Sequence, residues 1–176
     1  DPNDGAMYFT VGGRRVQAGL YRVTYVGNDS TAPAQSIAGG EKARAERRAL
    51  ESFLQVGANE ADPADLDTIW AALGSRDRGI RHAARAALEK QPTKNWKNRI
   101  EKEQDPIILS AALIALARID AENSADGILA AATNLDYRVI KPRQTRFDIL
   151  RAITLTLTRS GQPKGDSKAK LVDWLD

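Results

Sequence analysis

The stretch DRGIRHAARAALEKQP, residues 77–92, decides the fold of this chain. Alanine is its commonest residue, and Ile80 and Leu88 are its only larger aliphatic side chains. These two residues and three of the alanines recur at the i, i+3, i+4, i+7 and i+8 spacing of one helical face. The opposite face carries the polar residues Arg78, Arg81, His82, Arg85 and Glu89. The stretch therefore predicts an amphipathic helix with a thin apolar side.

Similar helical segments recur further along the chain. A shift of 28 residues superposes AARAALE (83–89) on AALIALA (111–117), and a shift of 41 superposes AALIALAR (111–118) on AITLTLTR (152–159). Asp77 and Asp105, also 28 residues apart, occupy matching turns before the first two of these helices. A helix that recurs in this way, each time followed by a second helix, is typical of stacked helical hairpins. We therefore predict a mainly α protein whose residues 41–176 form an α-α superhelix of the HEAT or armadillo type, with about four helical hairpins.

The repeat explains the thin apolar side. Stacked helix pairs pack at short interaxial distances, and small residues at the contact let their backbones approach. Alanine also has the best intrinsic helix propensity and loses no rotamer freedom on folding. We expect long aliphatic side chains from neighbouring repeats to fill the remaining volume.

Turn and cap signals predict the helix boundaries in this region. The first predicted helix covers about 41–56 and ends at Gly57, the second runs from Asp62-Pro63 to Leu73, and the third is the opening stretch. A fourth follows Pro92 and carries Trp96 and Ile100, and a fifth begins at Asp105-Pro106. The last three cover about 123–133, 143–160 and 167–175. The segment ITLTLT (153–158) alternates like a strand. We nevertheless predict a helix there, because the repeat requires one and threonine hydroxyls can bond the carbonyl one turn back.

Residues 1–26 have β character instead. AMYFTV and GLYRVTYV are rich in β-forming residues and flank GGRRVQA, which predicts a β-hairpin. We expect Gly12 and Gly13 to provide the positive φ of its loop, and Asp4-Gly5 to form a turn before the first strand. Both faces carry large side chains, and two strands alone are marginally stable, so we expect the hairpin to pack on something else. Residues 27–40 have the composition of a linker.

Composition excludes several kinds of site. The chain has 176 residues and no cysteine, which excludes disulfides, thiolate metal sites, a cysteine nucleophile and covalent haem attachment within it. Its 26 basic and 23 acidic side chains give a net charge of +3, too small an excess to indicate a polyanionic partner. The chain contains no apolar run near the roughly 20 residues that span a bilayer.

Three segments carry a resemblance to a known family. DGAMYFTVGGRRVQAGLYRVTYVG (4–27) resembles the closing strands of the β-propeller in the large membrane-bound or secreted dehydrogenases of planctomycetes and their relatives. WAALGSRDRGIRHAARAALEKQPTKNW (70–96) resembles the opening HEAT repeats of those proteins, and RFDILRAITLTLTRSGQP (146–163) resembles a later helix and turn. In that family a sorbosone/glucose-dehydrogenase-like propeller and a haem-binding CxxCH domain flank the HEAT repeats. The resemblance implies this architecture and export from the cytoplasm, and it carries no catalytic residue to this chain, which has neither a whole propeller nor a CxxCH motif.

The residues themselves indicate no catalytic, metal or cofactor site. His82 is the single histidine and stands among arginines, which is typical of a surface residue. The acidic segment NEADPADLD (59–67) lacks the residue order of a calcium loop and suits the start of a helix. The three tryptophans are expected in the core. The candidate interaction surface is basic and consists of Arg78, Arg81, His82, Arg85, Arg143 and Arg146.

Two functions from different classes follow. The first is a non-catalytic helical-repeat scaffold of a larger exported redox protein, which binds a protein partner or adjacent domains of its own parent chain; turnover by this chain alone would contradict it. The second is a nucleic-acid-binding solenoid, in which Arg44, Arg47 and the arginines of the candidate surface would converge on one concave face. Nucleic acid is the less favoured partner, and salt-sensitive binding of DNA would distinguish the two.

Overall fold

The computed structural model describes residues 4–30, 32, 39–55, 60–163 and 165–175. The chain divides into two compact units, Asp1–Ala38 and Gly39–Asp176. The boundary lies within the predicted linker, most of whose residues between 31 and 38 are outside the described set. The predicted C-terminal glycine of the first helix, Gly57, also lies outside it. The first unit contains a two-stranded antiparallel hairpin and the second is helical, as predicted.

The hairpin consists of strands β1 (Met7–Gly13) and β2 (Val16–Val23). Phe9 pairs with Tyr21, and their rings stack with centroids 5.3 Å apart. The expected turn before β1 is present, with Gly5 at φ 66°. The prediction for the hairpin loop was wrong: Gly12 and Gly13 lie in β1, and the positive φ of 69° belongs to Arg15. The pairing register shifts between Val11 and Gly13, so the glycines coincide with a strand irregularity instead.

The helical unit contains seven α-helices in its described part. They are α1 (Glu41–Glu51), α2 (Pro63–Ala72), α3 (Arg78–Lys90), α4 (Pro106–Ile119), α5 (Ala121–Thr133), α6 (Arg143–Ser160) and α7 (Gly165–Leu175). Short 3₁₀-helical segments follow α1 at Ser52–Leu54 and precede α4 at Thr93–Asn95 and Lys97–Lys102. The predicted helix after Pro92 is therefore 3₁₀-helical rather than α-helical, and the first α-helix ends earlier than predicted.

These helices contact one another in two layers. In one layer α3 contacts α1 and α4, and α4 contacts α6. The other layer contains α2, the 93–102 segment, α5 and α7, with α5 against α7. Within this layer Trp70 of α2 contacts Trp96 of the 93–102 segment, with ring centroids 6.4 Å apart. The two layers meet where α2 contacts α3, and where α5 contacts α4 and α6.

The apolar side of α3 is buried as predicted. Ala84, Ala87 and Leu88 are fully buried in a core that continues into α4 and α6. On α4 the burial extends nearly all round the helix, and Ala112 and Leu113 have no exposed surface. The alanines of α3 therefore face a neighbour that supplies large aliphatic side chains.

The strand-like segment 153–158 is helical, as predicted. Thr154, Thr156 and Thr158 each donate a hydroxyl hydrogen bond to the carbonyl four residues back, at 2.8, 2.9 and 2.8 Å. These bonds satisfy the hydroxyls within the helix, which lets even the buried Thr156 be accommodated. The burial of Ile153 on the core side outweighs the β propensity of the segment.

Equivalent aspartates begin α3 and α4. Asp77 Oδ1 accepts hydrogen bonds from the backbone N–H groups of Gly79 and Ile80 at 2.7 and 3.1 Å. Asp105 Oδ1 accepts the corresponding bonds from Ile107 and Ile108 at 2.7 and 3.5 Å. The matching turns inferred from the 28-residue shift are thus matching N-caps.

We expect Asp77→Ala and Asp105→Ala each to lower the free energy of unfolding by about 1 kcal/mol, because backbone donors lose their partner. Urea denaturation followed by circular dichroism measures the effect. Asp77→Asn and Asp105→Asn are the controls, since asparagine retains a capping oxygen. Equal losses in the asparagine and alanine variants would show that the cap is not the cause.

Candidate functional site: a cationic groove between three helices

A groove of about 370 Å³ lies where α3, α4 and α6 meet. The α3 wall is basic and the α6 wall is polar, whereas α4 contributes mainly apolar side chains to the floor. The lining residues are Arg78, Arg81, His82 and Arg85 from α3, Ile107, Ser110, Ala111 and Ile114 from α4, and Gln144, Asp148 and Arg151 from α6. Four arginines thus face one carboxylate. The spacing of Arg78, Arg81 and Arg85 on α3 places these three opposite the alanine-rich side, so the same periodicity that builds the core also builds this wall.

Three of the α3 side chains in the groove, Arg81, His82 and Arg85, have internal partners. Arg81 Nη1 donates to the carbonyls of Ser75 and Arg76 at 2.6 and 3.0 Å, so this guanidinium ties the α2–α3 turn to the helix. Arg85 Nη2 lies 3.3 Å from His82 Nδ1. Because arginine only donates, this contact is a hydrogen bond in the tautomer of His82 that accepts at Nδ1 and has its N–H at Nε2. The groove therefore gains one further potential donor from His82.

Arg85 is only partly neutralised. Its side chain is 24% exposed, and its buried Nε has no hydrogen-bond partner among the described residues. The nearest carboxylate oxygen, Glu89 Oε1, is 3.5 Å from this atom, and Glu89 also accepts a bond of 2.9 Å from Arg118. Burial lowers the pKa of Arg85, Glu89 opposes that change, and Arg118 and Arg151 add to it. Arg85 remains charged, but its counter-ion is shared.

The α6 wall contains residues that the sequence analysis did not single out. Gln144, Asp148 and Arg151 follow one another at i, i+4 and i+7, which puts them on one helical face. Gln144 Nε2 donates to Asp148 Oδ1 at 3.0 Å. Arg151 makes no hydrogen bond or ion pair within the described part of the chain, and the same is true of Arg78 on the opposite wall. The spacing was a usable signal, but only the position of α6 across the groove from α3 reveals that this face meets other arginines.

Arg143 and Arg146, two members of the candidate surface, do not line this groove. The Arg143 guanidinium lies 5.1 Å from the Phe147 ring centroid, and that of Arg146 lies 5.7 Å from the Tyr137 ring centroid. The structure therefore brings together four of the six candidate residues, namely Arg78, Arg81, His82 and Arg85. The two others stand on other faces of α6, because a helix turns roughly 100° per residue.

Ser110, His82 and Asp148 all line the groove, but hydrogen bonds do not connect them. Ser110 Oγ is buried and donates to the Ile107 carbonyl at 3.0 Å. His82 contacts Arg85, and Asp148 is bonded to Gln144. A nucleophilic serine requires a base within hydrogen-bond distance and a third group that orients the base. The groove instead presents guanidinium groups, whose chemistry is the binding of anions.

The same described residues also lack a metal-ligand cluster and a membrane-spanning helix. They contain no group of three or more histidine, aspartate or glutamate side chains placed to hold a metal ion. None of the helices they form combines the length and the apolar character that crossing a membrane requires. Comparisons of this chain with protein-family models, with curated proteins and with solved structures find no match.

Proposed function

We propose that residues 41–176 form a non-catalytic helical-repeat module that binds a protein partner through the groove between α3, α4 and α6. The proposal of a repeat rests on one observation: the hydrogen-bonded partners from different segments of the helical unit are separated by similar numbers of residues in the sequence. Seven hydrogen bonds of side chains join distant residues within the described helical unit, and each spans between 29 and 41 residues. Such a narrow range is what stacked repeats produce, because each repeat contacts its neighbours alone.

The bonds occur in both layers. On the α2 side, Trp70 Nε1 donates to Glu103 at 2.7 Å and Arg99 donates to Asp67 at 2.6 Å, over spans of 33 and 32 residues. Further along the same layer, Trp174 Nε1 donates to the Leu135 carbonyl at 2.7 Å over 39 residues. These contacts continue from one helix of the layer to the next, as expected for translation along a superhelix.

The other layer has a corresponding series at the carboxyl ends of its helices. Arg118 Nε of α4 donates to Glu89 of α3 across 29 residues. Arg159 of α6 donates to the Arg118 carbonyl across 41 residues. Arg118 and Arg159 are the positions that the 41-residue shift superposes, so the repeat in sequence matches a repeat in contacts. This agreement supports a HEAT-like α-α superhelix.

The binding role is supported by the unmatched charge in the groove. Four arginines face one aspartate, and Arg78 and Arg151 have no ion-pair partner in the described part of the chain. Solvated arginines are common on helices, but these converge from two helices on one concavity. An anionic surface of another protein would neutralise them.

The hairpin supports a second part of the proposal, that the module is a segment of an exported dehydrogenase of the type it resembles. Every residue of β1 is exposed in the structure, and Phe9, Leu20 and Tyr21 retain large exposed apolar surfaces. A two-stranded sheet with two apolar faces gains stability when other parts of a protein pack on those faces. The closing strands of a propeller would have this property, and their propeller would cover these faces.

Titration of the purified chain with several anionic probes tests the binding role. We expect at least one of poly-glutamate, double-stranded DNA and inorganic phosphate to bind saturably in isothermal titration calorimetry. The double variant Arg78→Gln/Arg151→Gln should lose this binding, and the matched control Arg48→Gln/Arg138→Gln should retain it. Both control arginines are exposed, and their side chains have no partner in the described residues. Failure of every probe to bind, or equal losses in both variants, would contradict the proposed function.

A further inference from the structure

The groove offers three guanidinium groups with donors that the protein does not use. Arg78 and Arg151 are exposed and form no hydrogen bond or ion pair with any described residue. Arg85 is less exposed than either, and its buried Nε has no hydrogen-bond partner in the described chain. Each guanidinium has five N–H donors in a planar fork that matches a carboxylate or a phosphate. The groove can therefore hold more than one anionic group at the same time.

The floor has a different chemistry from the walls. Ile107 and Ala111 of α4 are partly exposed at the bottom of the groove, with the buried Ile114 beneath the same face. These residues are spaced i, i+4 and i+7, so they form one apolar stripe along α4. A ligand that fills the groove must therefore present apolar surface between its anionic groups. Inorganic ions lack such surface.

Gln144 and Asp148 on α6 place a third requirement on the ligand. The Asp148 carboxylate accepts one bond of 3.0 Å from Gln144 and has capacity for further donors. A ligand with N–H groups beside its anions, such as a peptide backbone, would use this capacity. A phosphodiester backbone has no N–H and would be repelled by Asp148.

Nucleic acid fits less well for two further reasons. The tryptophans that could stack on bases are engaged elsewhere: Trp70 and Trp96 are buried, and Trp174 is bonded to the Leu135 carbonyl. The four lining arginines are also confined to one groove of about 370 Å³, whereas a phosphate backbone needs a longer basic stripe.

We propose that the α3–α4–α6 groove binds an acidic peptide segment of a protein partner, with carboxylates on Arg78, Arg85 and Arg151 and an apolar side chain on the Ile107–Ala111 floor. This inference rests on the proposed binding function and identifies its ligand class. The juxtaposition of two unpaired guanidiniums (Arg78 and Arg151), the partly neutralised Arg85, an apolar floor and one acceptor carboxylate carries it.

Fluorescence anisotropy with labelled peptides tests the proposal. The probe is Glu-Glu-Leu-Glu-Glu, and the comparison peptides replace leucine with serine or every glutamate with glutamine. We expect the probe to bind, the serine peptide to bind several-fold more weakly, and the glutamine peptide to lose binding. The double variant Arg78→Gln/Arg151→Gln should bind the probe with about tenfold or more lower affinity, because charge-assisted hydrogen bonds are lost. The control variant Arg48→Gln/Arg138→Gln should change the affinity for the probe by less than about twofold.

Displacement of the labelled probe by unlabelled DNA or unlabelled peptide distinguishes a nucleic-acid ligand from a peptide ligand. If double-stranded DNA displaces the probe more effectively than unlabelled peptide does, the ligand class is wrong and the binding role of the groove stands. Equal binding of the leucine and serine peptides would overturn the role of the floor, and with it the peptide assignment. If no anion binds to the folded chain at all, both the inference and the proposed function fail. Circular dichroism of each variant verifies that binding is compared between folded proteins.

Discussion

Leu113→Ala is expected to lower the free energy of unfolding by about 2–5 kcal/mol, because it removes a fully buried side chain from the centre of α4 and leaves a cavity. Leu113 has no exposed surface, and α4 contacts α3, α5 and α6. A cavity there is lined from several sides, which limits how far the neighbours can relax. Urea denaturation followed by circular dichroism at the helical band measures the change.

The matched control is Ile119→Ala, the last residue of the same helix. Ile119 is 39% exposed, so truncation removes less buried surface and leaves little cavity. We expect this variant to lose less than about 1 kcal/mol. If both variants were equally destabilised, the buried packing of Leu113 would not be the cause of the loss.

Trp96→Ala has the second large effect that we expect, a loss of about 3–5 kcal/mol in the free energy of unfolding. Trp96 is 1% exposed although its sequence neighbours are mostly polar. Its Nε1 donates to the Gln91 carbonyl at 3.3 Å, and its ring lies against that of Trp70. The substitution removes the ring that holds the 93–102 segment to α2.

Trp96→Phe separates the two contributions of this side chain. Phenylalanine retains most of the buried area but cannot donate to Gln91, so we expect a loss of about 1–2 kcal/mol. Tryptophan fluorescence gives an independent readout, because Trp70 should become more exposed to water in the alanine variant and emit at longer wavelength. An alanine variant with the stability and spectrum of the phenylalanine variant would contradict the packing role.

Part of the candidate site could be predicted from the sequence. The spacing of Arg78, Arg81, His82 and Arg85 placed them on the polar face of one helix, and the structure puts all four in the groove. Arg143 and Arg146 cluster in sequence, but their guanidiniums lie near the rings of Phe147 and Tyr137, outside the groove. Arg151 was missed for the opposite reason, since it has no basic neighbour in sequence.

The chain by itself determined the elements that depend on local forces. Helical spacing in α3, the aspartate caps at Asp77 and Asp105, and the threonine hydroxyl bonds in α6 all act within a few residues, so they can be read without knowledge of the fold. The loop of the hairpin was an exception, because strand pairing placed the positive φ at Arg15. Tertiary structure alone decided that the 93–102 segment is 3₁₀-helical and that α6 lies across the groove from α3. Both depend on contacts between residues far apart in the chain, such as Trp70 with Glu103 and Arg159 with Arg118, and a local sequence pattern does not determine which distant residues meet.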